Sequence, residues 1–248
     1  VYSGNWERRL CNGCYGRLLS IYEIKQGKDD IEVRADALAE MLQTAVSVDD
    51  ARRAELLLRN ADRRADLLSP SSVRFVASSQ FVAAQLTEAP ALEWSPAVIG
   101  LCKAVETELV TQLFRPLAEA ARSSDLSTDQ ADKDIGRIAA FCAEPTRKPP
   151  ELGSISHFLQ TVSHSESRRA TSPLIKAFLR LMSEWTDATW VLNPSGLHRS
   201  LSRLSSEFRN PAAHTDELNG RDYEACRDLV IGGQGILWRL HLAAQPHR

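Results

Sequence analysis

The chain has 248 residues, 43% of them hydrophobic, enough for one sizeable core or two modest ones. Its 30 Lys plus Arg against 32 Asp plus Glu leave a formal net charge of −2, which excludes a generally basic duplex-binding protein and restricts any nucleic-acid contact to a local patch. Five scattered cysteines and the absence of any apolar run of about eighteen residues argue against a disulfide scaffold, a secreted chain and a membrane span, and predict a reducing cytoplasm.

Apolar residues recur at threes and fours almost throughout, so the prediction is all-α. It divides into an N-terminal helical region over 1–88 and a helical bundle over 94–243, with TEAPALEW as the linker. The first residue is Val and residues 1–28 resemble the middle of a structured region, so a fragment or a processed chain is expected. Cys11 and Cys14 in CNGC have the spacing of half a zinc knuckle or of a redox pair. No second ligand pair follows, and packing within a helix is the simpler reading of the two thiols.

Residues 49–68 read as a charged amphipathic helix capped by Asp49 or Asp50, and residues 71–86 as a more apolar helix opened by Ser69 and Pro70. Ser95-Pro96 repeats the cap-plus-proline signal and begins a long helix through Val98, Cys102, Val105, Leu109, Leu113 and Leu117, which Pro116 should kink or end. A shorter helix follows over 131–142, then the proline-rich PTRKPPELGS, then helical spacing at Ile155, Phe158, Leu159 and Val162. From Ser172-Pro173 one long helix is predicted toward Trp190, where NPSG stops it. Leu197, Leu201, Leu204 and Phe208 form a core stripe that runs into RNPAAH, and a last core helix capped by Asp222 carries Tyr223, Cys226, Leu229 and Val230. GGQG then separates it from a short apolar tail and, lacking Lys-Ser/Thr, is no phosphate-cradling loop.

RNPAAH, residues 209–214, is the segment that suggests chemistry. Arg209 is permanently charged and offers a planar fork of donors to phosphate oxygens, while a histidine such as His214 is the residue type best suited to proton transfer near neutrality. Beside an RNA phosphodiester the pair would move the 2′-hydroxyl proton and stabilise phosphoryl charge without a metal. On an uninterrupted helix the two would lie about 140° and roughly 7.5 Å apart, but Pro211 breaks the ladder. One chain supplies one such histidine, so catalysis of this kind would need a two-fold dimer. An Arg, an Asn and a His at a helix break are equally the residues of caps and salt bridges.

The segment resembles the Arg-x4–6-His motif of the HEPN (higher eukaryote and prokaryote nucleotide-binding) domains, with a polar Asn210 after the Arg. EWSPAVIGLCKAVETELVTQLFRPL and PELGSISHFL resemble the early helices of HEPN-type domains in bacterial defence and toxin proteins, and the resemblance covers residues 94–243. It implies an all-α HEPN-like bundle and a cytoplasmic, homodimeric, metal-independent endoribonuclease with no cofactor. Arg209 and His214 would be catalytic, Asn210 would orient them or the RNA, and Glu106 or Glu108 would be the supporting acid. Arg199 and Arg203 would extend a phosphate-tracking surface, and residues 1–88 would join a sensor or ATPase domain or partner. The other reading is a catalytically silent dimerisation or adaptor module, with Arg209 and His214 paired to carboxylates and buried. A third is a partner-binding antitoxin.

Two further patterns have simple structural readings. Arg168, Arg169, Lys176 and Arg180 read as a solvated basic face, and Trp94, Trp185, Trp190 and Trp238 read as core packing before base-stacking platforms.

Overall fold

The structure, a computed structural model, describes residues 20–27, 30–88, 93–133, 135–214 and 217–245. The Cys11/Cys14 pair lies outside the described residues. Every regular element among the described residues is helical, so the chain is an all-α bundle.

After a helical segment at 20–26 come α1 (Ile31–Ala45), α2 (Val48–Ala61) with a 3-10 turn over Arg63–Leu67, and α3 (Pro70–Glu88). The central helix α4 (Ser95–Leu109) passes through a π-turn (Val110–Phe114) into α5 (Arg115–Ala121). Then follow α6 (Ser127–Gln130), α7 (Gly136–Ala143), α8 (Leu152–His164), α9 (Glu166–Thr171), α10 (Pro173–Ser183) and α11 (Ala188–Leu192). The helix α12 (Leu197–Arg203) runs through a second π-turn (Leu204–Arg209) into α13 (Asn210–Ala213), and α14 (Gly220–Ile231) and α15 (Ile236–Ala243) close the bundle.

Sequence chemistry explains most of the boundaries. Ser172 accepts from the Ile175 N–H at 3.0 Å, with Pro173 in the first turn of α10. Ser69 caps α3 in the same way, accepting from Ser72 at 3.3 Å. At α4 the expected cap shifts: Ser95 is the first helical residue, and Glu93 accepts from both its N–H, at 3.0 Å, and its hydroxyl, at 2.6 Å. The start of α2 belongs to Ser47 rather than Asp49 or Asp50, and α14 is capped by Asn219 with Asp222 completing the capping box from its third position. The helix predicted over 49–68 is divided at Asp62, whose carboxylate caps the 3-10 turn. The one predicted through 173–190 is divided into α10 and α11 by the turn at 184–187, with Asp187 capping the second piece.

Pro116 and Pro211 end neither of their helices, contrary to the kink or stop expected at Pro116. Each follows a π-turn. Arg115 donates to the Val110 carbonyl and Asn210 to the Ser205 carbonyl, five residues back in both cases. The next residue is the proline, which has no N–H to give to Gln112 or Glu207, and the widened turn absorbs its ring.

The core is built around α4, which is buried on all sides from Ser95 to Leu109 except at Lys103 and Thr107. Helices α1, α3 and α14 pack along it, joined by the second π-turn and α13, while α10 and α7 pack on its continuation α5. Leu38, Leu58 and Val73 belong to the same hydrophobic cluster as Leu101, Leu201 and Cys226. Described residues on both sides of 88–94 therefore contribute to one hydrophobic cluster. The predicted stripe Leu197, Leu201, Leu204 and Phe208 is buried along its whole length. Trp94, Trp185, Trp190 and Trp238 are also buried, at 7% exposure or less, which removes them as base platforms. Among the described residues no helix is long and apolar enough to cross a membrane.

Candidate functional site

The candidate site lies where α1, α4 and the α12–α13 helix meet. Phe208 ends the apolar stripe, and the π-turn carries the next residue, Arg209, inward as well. Its side chain is 2% exposed. One guanidinium nitrogen donates a short hydrogen bond to Glu32 on α1, and Nε stands 3.3 Å from Glu106 Oε1 on α4. The second contact is at ion-pair distance but off the hydrogen-bond direction, so Nε–H has no aligned acceptor.

Glu106 is the hub of this arrangement. The same Oε1 accepts from the Leu152 N–H at 3.3 Å, so it also caps α8, and Oε2 meets Lys103 Nζ at 2.6 Å. Lys103 reaches Asp36 on α1 at 2.6 Å, Asp36 reaches Lys148 at 3.3 Å, and Lys148 reaches Glu151 at 2.7 Å. Arg137 completes the line at the surface, 3.3 Å from Glu151. Charges of alternating sign thus run from the buried guanidinium to solvent.

Burial opposes the Arg209 charge, but the carboxylates of Glu106 and Glu32 more than offset it and hold the guanidinium protonated more firmly than usual. At Glu32 burial wins. It raises the carboxyl above its ordinary range against the pull of Arg209, with help from the negative charges of Glu106 and Glu151.

Asn210 and His214 do not join this network. Both side chains are half-buried, and among the described residues no hydrogen bond or ion pair links either to Arg209. The helix ends at Ala213, and His214 turns into an extended conformation, its N–H shared between the Asn210 and Pro211 carbonyls at 2.9 and 3.1 Å. The three expected catalytic residues are thus one buried cation and two half-buried groups with no hydrogen bond or ion pair to it among the described residues.

The two expected supporting acids separate completely. Positions 106 and 108 of one helix point about 200° apart. Glu106 faces Arg209, whereas Glu108, 0% exposed, faces the opposite side. There it accepts from the Ser69 N–H (3.1 Å), the Ser69 hydroxyl (3.0 Å), Gln112 (3.1 Å) and His241 Nε2 (2.8 Å). Burial opposes its ionisation, but hydrogen bonds from His241, Ser72 and Ser69 outweigh this and bring its pKa down to about 2. Glu108 anchors α3 and α15 to α4 and is no part of the Arg209 site.

Arg199 and Arg203 are exposed on α12. Arg203 pairs with Glu207 at 2.8 Å and lies over the Phe208 ring at 5.9 Å, so the surface arginines and the buried one do not form one continuous track. Part of the supposed solvated face around 168–180 is structural: Arg169 donates to the carbonyls of Val162 and Ser163, and Arg180 to that of Ala120. Glu32 is the partner that sequence reasoning missed. Its only local signal is that of an ordinary acid in a first helical turn behind the Asp30 cap.

Among the described residues, no group of three or more His, Cys, Asp or Glu side chains is placed to hold a metal ion. No family model, curated protein or solved structure matches the chain. The burial of Arg209 between Glu32 and Glu106 corrects the expectation of a nuclease, hydrolase or RNA-binding site of an antiviral toxin built on this arginine. What is present around Arg209 is an internal network of ion pairs of alternating sign.

Proposed function

We propose that the chain is a non-catalytic helical interaction module, of the dimerisation or adaptor kind, in which RNPAAH locks the N-terminal helices onto the bundle. The observation that carries this reading is the position of Arg209, 2% exposed between Glu32 and Glu106. A phosphate approaching the guanidinium would have to displace two carboxylates, and their negative charge would repel it. Breaking such a pair by removing one partner typically costs about 3–5 kcal/mol, which suits a structural clasp and not a ligand site that opens at each turnover.

The helical-bundle part of the family resemblance is kept in this reading and the chemistry is set aside. Metal-free incubation of RNA with wild type, Arg209→Ala and His214→Ala tests it. No cleavage by any of the three is expected. Cleavage by wild type that His214→Ala abolishes would overturn the reading.

A further inference from the structure

We infer that Cys102 on α4 and Cys226 on α14 are a redox-responsive dithiol, which a peroxide oxidises to a reversible disulfide that fastens the two helices together. The inference is independent of the interaction-module reading, which uses neither cysteine.

The pairing follows from the packing. The buried side of α14 is Tyr223, Cys226 and Val230, one stripe at helical spacing, and α14 lies along α4. Contact at the start of the two helices sets their register: the Trp94 and Tyr223 rings stand 5.6 Å apart, and a side chain at Gly220 would meet the Trp94 indole at 3.3 Å. Cys226 is the next inward residue after Tyr223. On α4, Cys102 lies one turn before Glu106, on the side that meets the second π-turn, and α14 packs against that turn as well. There the two thiols come within hydrogen-bonding reach of each other. Both are free, at 1% and 0% exposure. Cys142 is the contrast among the described cysteines: it is buried on α7, and burial alone pushes its thiol up to about 12.

Hydrogen peroxide is the oxidant. One sulfur, as thiolate, attacks a peroxide oxygen; the O–O bond breaks, the sulfur becomes a sulfenic acid, and the departing oxygen leaves as water with the proton the thiol released. The second sulfur attacks the first, the S–S bond forms and the S–O bond breaks, and the hydroxyl leaves as water with the second thiol's proton. Two thiols are oxidised, one peroxide is reduced and two waters form. Burial and the contact with Cys102 push the Cys226 thiol well up, against the pull of the Arg203 charge. Oxidation is therefore slow in the closed fold and proceeds through local opening of α14. The bond then closes a long loop of the chain and stabilises the fold by restricting the unfolded state, until a thiol reductant reverses it by exchange.

Peptide mapping of the full chain tests this, after treatment with hydrogen peroxide under native conditions, removal of the peroxide and alkylation of the remaining thiols in denaturant. The expected result is a cross-link within one chain between the Cys102 and Cys226 peptides, lost on addition of dithiothreitol. The oxidised chain should unfold at a higher urea midpoint than the reduced one, and Cys226→Ala should abolish both the cross-link and the shift. The mapping is read on wild type, so it decides the matter even if Cys226→Ala is unstable. Recovery of Cys102 and Cys226 as alkylated free thiols would overturn the inference. So would their oxidation to separate sulfinic acids, their pairing with Cys11, Cys14 or Cys142 or with a second chain, or a cross-link that leaves the urea midpoint unchanged.

Discussion

Arg209 and Glu32 are 177 positions apart in the chain, and their side chains meet in a buried ion pair that joins α1 to the α12–α13 helix. Glu106 approaches the same guanidinium from the central helix, so one cation holds three elements. Removing it leaves two carboxylates facing each other with little access to water. Arg209→Ala should therefore lower the stability by about 3–5 kcal/mol, read as a reduced urea midpoint. Arg209→Lys should not restore it, because a point-like ammonium cannot address both carboxylates with a planar fork.

Glu32→Gln should be much milder, below about 2 kcal/mol by the same unfolding measurement. Glu106 still neutralises the guanidinium, and an amide oxygen can still accept its hydrogen bond. Burial also raises the Glu32 carboxyl, so its ionised form is less favoured in the fold than in the unfolded chain. A raised folded pKa contributes stability below the unfolded value, and this is lost as pH rises through the folded value. Wild type should therefore lose a little stability just above the ordinary carboxylate range, and Glu32→Gln should not.

Glu108 carries the opposite sign. Its folded pKa of about 2 lies below the ordinary 4.5, so its contribution is fully present above about 4.5 and is lost as pH falls from there toward 2. The difference corresponds to roughly 3 kcal/mol for this buried group. Acid unfolding of wild type should show this loss, and Glu108→Gln should be less stable at pH 7 with a flatter acid limb.

His214→Ala separates a structural RNPAAH segment from a catalytic one. The imidazole is half-buried, outside the ion-pair network, and its backbone N–H already satisfies the helix end. Its replacement should change the unfolding free energy by less than about 1 kcal/mol.

The stripe Leu197–Leu201–Leu204–Phe208 was legible because helical periodicity is local, and so were the caps at Ser69 and Ser172. The cap of α4 was not, because Glu93 two residues before Ser95 supplies the acceptor that the serine was expected to be. Pro116 signals a kink or an end and Pro211 a kink or a fresh turn, whereas a π-turn accommodates the missing N–H at each without ending the helix. The burial of Arg209 had no local signature. An arginine after a core stripe faces solvent or interior according to what packs against it, and here that is Glu32, far away in the chain and indistinguishable in sequence from any first-turn acid. The separation of Glu106 from Glu108 follows from helical geometry alone, but which of them would meet the motif depended on the placement of α1.

The most direct measurement of the lock is a double-mutant cycle on Arg209→Met and Glu32→Gln, followed by urea unfolding at pH 7. A structural clasp predicts a coupling of at least about 1 kcal/mol, with the double variant more stable than the two single losses added together. Additive losses, with no coupling between the two positions, would contradict it.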